Sequence, residues 1–144
     1  VAAVELARKD ARVDPRRIAL WFFSGAGFLV ADWLREVPEW LRCVGLNYPA
    51  VAAFPGVAID ARFRPVEAVG TGRRVPIVLT RVGREREMIA EGVAAFVGAA
   101  EERGADLRII DVPEGQHGFD QLDHTEQSRE AVERALRAVL DELR

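Results

Sequence analysis

Six apolar residues in succession, Ile18-Ala19-Leu20-Trp21-Phe22-Phe23, run into Ser24-Gly25-Ala26-Gly27. No polar residue alternates within the run, which is the pattern of a strand covered on both faces, as in a parallel sheet layered by helices. A strand that turns sharply into a helix around one serine holds that hydroxyl out at the strand's carboxyl end. Ser24 is therefore a candidate nucleophile, and the competing reading is a turn serine that caps the following helix.

The rest of the chain repeats the alternation. Helical spacing over Val1–Lys9 ends at Asp14-Pro15, since the residue before a proline is pushed out of the helical region. Three further strand patterns follow at Arg42–Tyr48, Val75–Thr80 and Leu107–Val112. A helix is expected from about Gly25 through Leu34, and a short one near Pro65–Val69 at the end of an irregular stretch. A longer helix is expected where Ile89, Val93, Phe96, Val97 and Ala100 share one stripe, with Gly104 to terminate it. Thr125 is the expected N-cap of a last helix whose apolar face includes Ala131, Ala135, Leu136, Val139 and Leu140. Such alternation implies right-handed crossovers and an α/β fold: a parallel sheet of about four strands with helices on its faces.

With 144 residues, 49% of them hydrophobic, one domain with a sizeable core is expected. The net charge of −3 is spread among interspersed acids and bases, which offers no footprint for nucleic acid. No apolar stretch has the length of a membrane span. A small neutral or weakly charged partner is expected instead. Cys43 is alone, so no intrachain disulfide forms, and a buried thiol in a cytoplasmic protein is the expectation. His117 and His124 lack clustered acids and make a poor metal site, so neither metal nor organic cofactor is expected.

Ser24, Glu85 and His117 each follow an expected strand. In open parallel sheets the carboxyl ends line one edge, where ligand crevices sit, so the three can meet there. The order serine, acid, histidine is that of α/β-hydrolases and not of the other two common serine-triad folds. The segment Trp21-Phe22-Phe23-Ser24-Gly25-Ala26-Gly27 resembles the nucleophile elbow of the dienelactone hydrolase-like esterase branch of that superfamily. Pro113-Glu114-Gly115-Gln116-His117-Gly118-Phe119 resembles its histidine loop. The resemblance runs from about Asp14 to the C-terminus and covers only the second half of the fold. Residues 1–144 are accordingly expected to be a partial domain, the C-terminal half, with the N-terminal half missing.

What the resemblance implies is a serine hydrolase acting on carboxylic esters or lactones. Ser24 is the implied nucleophile, His117 the general base and then acid, and Glu85 the orienter of the histidine. The N–H of Gly25 is one implied oxyanion donor, and the second belongs to a loop after an earlier strand, absent from these residues. The chemistry needs these types. A serine hydroxyl must pass its proton to a base as it attacks, histidine titrates where it can take and return that proton, and a carboxylate fixes the imidazole tautomer.

The elbow pattern has glycine two positions before and two after the serine, where this chain has Phe22 and Ala26. Phe22 is expected to crowd the turn and relax its strain or push the strand aside. Gly83-Arg84-Glu85-Arg86-Glu87 offers two carboxylates, of which Glu85 is preferred over Glu87 as the acid, and one of the two is expected to belong to a solvated charge run. Pro49–Pro65 is expected to shape an acyl or alcohol pocket. Tyr48 either lines the crevice or is buried with one hydrogen bond. Two rival readings stand beside the esterase: a fragment of a prolyl-oligopeptidase-type peptidase, and a non-catalytic hydrolase-like remnant or binding module. With no earlier strand beside it, Ile18–Phe23 is expected to be an exposed edge through which the chain self-associates.

Overall fold

The apolar run forms β1 (Ile18–Phe23), which pairs in parallel with β2 (Leu41–Asn47). β2 pairs with β3 (Ile77–Arg84) and β3 with β4 (Leu107–Gln116), giving one four-stranded parallel sheet in the order β1-β2-β3-β4. This computed structural model describes residues 2–54 and 56–144; Val1 of the first helical pattern and Pro55 of the irregular stretch lie outside the described residues.

β3 and β4 both run further than their apolar patterns suggest. Beyond Thr80 and Val112 the strands are covered on one face only: Val82 and Gly115 are buried while Arg84 and Glu114 are exposed and bonded to each other. A half-covered strand alternates apolar and polar residues, so it does not read as a continuous apolar run. The extension carries β3 and β4 out to the residues just before Glu85 and His117.

The helices are α1 (Ala2–Arg8), α2 (Val30–Arg35), α3 (Pro65–Ala68), α4 (Glu87–Glu102), α5 (Phe119–Leu122) and α6 (Glu126–Asp141). The helix expected from Gly25 is split: a 3-10 helix over Ser24–Leu29 starts at the serine itself and passes into α2. α2, α3 and α4 cover one sheet face, with Phe96 packed among Leu46, Ile77 and Leu79. α5 and α6 contribute to the other, where Phe119 shares one buried cluster with Cys43, Val78 and Ile110. Successive strand residues such as Ile77 and Val78 thus serve opposite layers, as the pleat requires. Full burial of each phenylalanine, Phe96 and Phe119, contributes roughly 1.5–3 kcal/mol.

Thr125 caps α6 as expected, its hydroxyl accepting the Ser128 N–H at 3.1 Å. The inner face of α6 differs from the expected one. Ala131, Ala135 and Ala138 are buried, whereas Leu136 and Leu140 remain 45% and 46% exposed. Small residues let the helix seat close to the sheet, and that contact turns the leucine stripe outward. β1 departs too: its residues are half-buried or exposed because it is an edge strand, paired on one side only. The apolar run identifies a parallel strand covered in part on both faces, with Leu20 and Phe22 against one layer and Ala19 and Trp21 against the other. Trp33 and Trp40 pack edge to face at 5.6 Å, as packing residues would.

Candidate active site

The site begins with a strained residue. Ser24 has φ 51°, the left-handed region that costs a non-glycine residue on the order of 1–3 kcal/mol and persists only where the surroundings impose it. Two contacts with the segment after β2 impose it here. The Ser24 carbonyl accepts the Ala50 N–H at 2.9 Å. Gly27 lies so close to the same segment that a Cβ would stand 2.6 Å from the Ala50 oxygen and 2.8 Å from the Pro49 Cβ. The glycine that the turn requires is therefore Gly27, and Ala26 is accommodated. The expected crowding by Phe22 does not occur: its side chain points into the layer of α2 and α4, packed against the core on that face.

His117 follows β4 in a loop that turns at Gly118, where φ is 82°, into α5. The loop is gripped from both sides of the histidine. Asp123 accepts the Gln116 backbone N–H at 2.9 Å and the Gln116 amide at 2.6 Å. These two bonds, the backbone one first, hold the Asp123 carboxyl below the usual aspartate range.

The structure brings Ser24, His117 and Glu85 together. Ser24 Oγ lies 2.7 Å from His117 Nε2, and His117 Nδ1 lies 2.6 Å from Glu85 Oε2. A carboxylate accepts and does not donate, so Nδ1 carries the hydrogen and Nε2 is left to accept from the serine hydroxyl. The other Glu85 oxygen accepts the Arg86 N–H at 2.8 Å. The Glu85 side chain is only 4% exposed and that of His117 26%, so the inner end of the chain of bonds is dry and the outer end open. Glu87, the alternative acid, is exposed on the first turn of α4, and His124 is exposed between α5 and α6. Gly25 is exposed at the start of the 3-10 helix, where N–H groups lack a partner within the helix.

Beneath the site, the buried Asn47 side-chain oxygen accepts from Trp21 Nε1 at 3.2 Å and from the Thr80 hydroxyl at 2.9 Å. These bonds tie β1, β2 and β3 at the edge that carries Ser24. Tyr48, one residue further, is buried and donates its hydroxyl to Asp120 at 2.7 Å. Of the Pro49–Pro65 stretch, Phe54 meets Phe28 of the 3-10 helix edge to face at 6.2 Å. A cleft of about 500 Å³ among Arg8, Trp40, Arg42 and Arg73 sits at the amino ends of β1 and β2, opposite the serine edge. Burial pushes the Cys43 thiol up to about 12, far from a reactive thiolate. Among the described residues no group of three or more His, Cys, Asp and Glu side chains could hold a metal ion.

No protein-family model and no curated protein sequence matches the chain. Solved structures do. Thermogutta terrifontis esterase 2 superposes with a TM-score of 0.71 at 16% identity, over 97% of this chain and 62% of that one. A Klebsiella pneumoniae protein described as a dienelactone hydrolase gives 0.75 at 16% identity, over 96% and 57%. The acylaminoacyl peptidase of Pyrococcus horikoshii gives 0.78 at 13% identity, over 96% and 26%. The chain has the α/β-hydrolase fold. It spans about three fifths of the length of the esterase and hydrolase structures, 62% and 57%. Within this α/β-hydrolase fold, Ser24, Glu85 and His117 occupy one sheet edge, beyond the ends of β1, β3 and β4.

The residues that sequence reasoning missed are the supports. Asp120 lies three positions after His117, and nothing in its neighbourhood marks it as the partner of Tyr48, 72 residues away. The Asn47–Thr80 bond was equally silent, although a polar residue at each of two strand ends is the only trace it leaves.

Proposed function

We propose that this chain is part of a serine hydrolase of carboxylic esters or lactones, of the dienelactone hydrolase-like esterase branch. The observation that carries the reading is the unbroken bond series from Ser24 through His117 to Glu85, at 2.7 and 2.6 Å. In this reading Ser24 Oγ attacks the acyl carbon while its proton passes to His117 Nε2, and Glu85 steadies the resulting imidazolium through Nδ1–H. The negative charge that develops on the former carbonyl oxygen is met by the Gly25 N–H. Collapse breaks the acyl–oxygen bond, and the proton on Nε2 goes to the departing alkoxide. A water then repeats the sequence on the acyl-serine: His117 takes its proton, its oxygen bonds to the acyl carbon, and Ser24 leaves with the proton restored. No metal or organic cofactor takes part in these steps.

Residues 1–144 are read as the later, partial portion of such a domain, with the second oxyanion donor outside them. Loss of one such donor typically costs about 100- to 1000-fold in turnover. The chain alone is therefore expected to hydrolyse activated esters slowly. A cytoplasmic location belongs to the same reading, supported by the single buried cysteine.

The test is covalent labelling by a fluorophosphonate together with activated-ester turnover, each with a Ser24→Ala control. Labelling at Ser24 that the substitution abolishes supports the reading. A folded chain that does not label favours the non-catalytic remnant. A peptidase reading has one observation behind it, the TM-score of 0.78 with the acylaminoacyl peptidase, and cleavage of an acyl-amino-acid anilide in preference to esters would select it.

A further inference from the structure

The two bonds made by His117 run in the plane of its ring, so they fix where the nitrogens point but resist tilting of the ring only weakly. Tilting is resisted by what packs against the ring. The Tyr48 ring meets it edge to face at a centroid distance of 4.9 Å, backed by Phe119 at 5.8 Å from Tyr48. A phenylalanine would fill that place equally well. The hydroxyl of Tyr48 therefore needs its own account, and its partner is Asp120 Oδ1 at 2.7 Å.

Asp120 belongs to α5, the short helix that continues the histidine loop. Tyr48 stands at the end of β2, an interior strand. Its backbone is held at φ 36°, an unfavourable conformation for a side chain of this size, with its N–H donated to the Thr80 carbonyl at 3.1 Å. The hydroxyl thus joins the loop and short helix that carry His117 to the end of an interior strand of the sheet. Burial, with the Asp120 bond second, raises the phenol well above its ordinary value, so it stays a donor wherever the histidine works.

We propose that Tyr48 and Asp120 form a clamp that positions the His117 ring between Ser24 and Glu85, with Tyr48 a positioning residue and not a catalytic one. The clamp rests on the triad reading given above for its consequence in catalysis. Its geometry can be tested without it.

The experiment compares the full chain with Tyr48→Phe, Asp120→Ala and the double variant. Fluorophosphonate labelling of Ser24 is timed, and the His117 Nδ1 proton bonded to Glu85 is followed by NMR. Each single change is expected to slow labelling about tenfold, the order of one lost hydrogen bond. The double variant should be no slower than the slower single, because both remove the same bond. The Nδ1 proton signal should broaden or vanish by exchange in all three, which a purely structural loss in a folded protein would not cause. Wild-type labelling with a sharp signal in Tyr48→Phe overturns the clamp, and so do effects that multiply. If Tyr48→Phe does not fold, Asp120→Ala at the half-buried end decides by the same readouts. A wild-type chain that does not label defeats the nucleophile reading alone, and the NMR signal in the variants still decides the clamp. A wild-type chain lacking that signal overturns the clamp as well, since no ordered ring is then held.

Discussion

The Ser24 carbonyl accepts the N–H of Ala50 at 2.9 Å, so the residue that turns β1 into the 3-10 helix is tied by its backbone to the segment leaving β2. The elbow is held from the neighbouring strand and not from within its own sequence. Phe22, which stands where the elbow pattern has a glycine, packs against the core, and Ser24 keeps the φ of the turn beside it.

Gly27→Ala should damage this arrangement. Its Cβ would stand 2.6 Å from the Ala50 oxygen, a backbone atom that cannot give way cheaply, so a loss of about 1–3 kcal/mol and slower Ser24 labelling are expected. Gly25→Ala, with nothing within 4 Å of its Cβ, serves as the stability control. Urea titration of both variants checks this, and a Gly27→Ala protein as stable as the wild type refutes the tether.

Glu85→Gln is expected to lower labelling and ester turnover on the order of 100- to 10,000-fold, since an amide can impose the wrong tautomer on His117. Glu87→Gln, on the exposed first turn of α4, should leave both rates near wild type. Equal losses in the two variants would mean that the short bond to Glu85 is not the one that matters.

β1 is an edge strand of half-buried and exposed apolar residues, and such edges template pairing with another chain. We expect the isolated chain to self-associate through Ile18–Phe23, with Phe22→Lys reducing the effect in light scattering. A dilution-insensitive monomer whose Ile18–Phe23 amides exchange slowly would count against this.

The Cys43 thiol sets a pH dependence whose sign follows from burial. Its pKa rises from 9.0 to about 12 in the fold, so between these values the unfolded chain is deprotonated while the folded chain is not. The contribution to stability is whole below pH 9.0 and is lost progressively up to about 12. Denaturant titrations of wild type and Cys43→Ala across that window should converge as pH rises. A constant difference between the two would contradict it. At pH 8 a thiol reagent should react with unfolded chain far faster than with folded chain.

Much of the fold is legible in local pattern. The apolar run of β1, the stripe of α4 and the Thr125 cap depend on spacings of a few residues, and the structure carries all three. The continuations of β3 and β4 are not legible, because one of their faces is open and their polar residues pair across strands, as Arg84 does with Glu114. The face that α6 buries is decided likewise by how closely small residues let it approach the sheet, and not by where its leucines fall.

The sequence by itself determined the alternation of strand and helix, and with it the meeting of Ser24, Glu85 and His117, because a parallel sheet delivers every strand's carboxyl end to one edge. Which carboxylate faces the histidine, and what holds the serine strained, only the tertiary structure decided. Glu85 rather than Glu87 meets His117 because β3 runs on to Arg84. Ser24 keeps φ 51° because Ala50 bonds its carbonyl, and Tyr48 reaches Asp120 because two distant segments close over the same ring. Those contacts join residues tens of positions apart, and such residues meet through the packing of the whole layer, of which no local spacing keeps a trace.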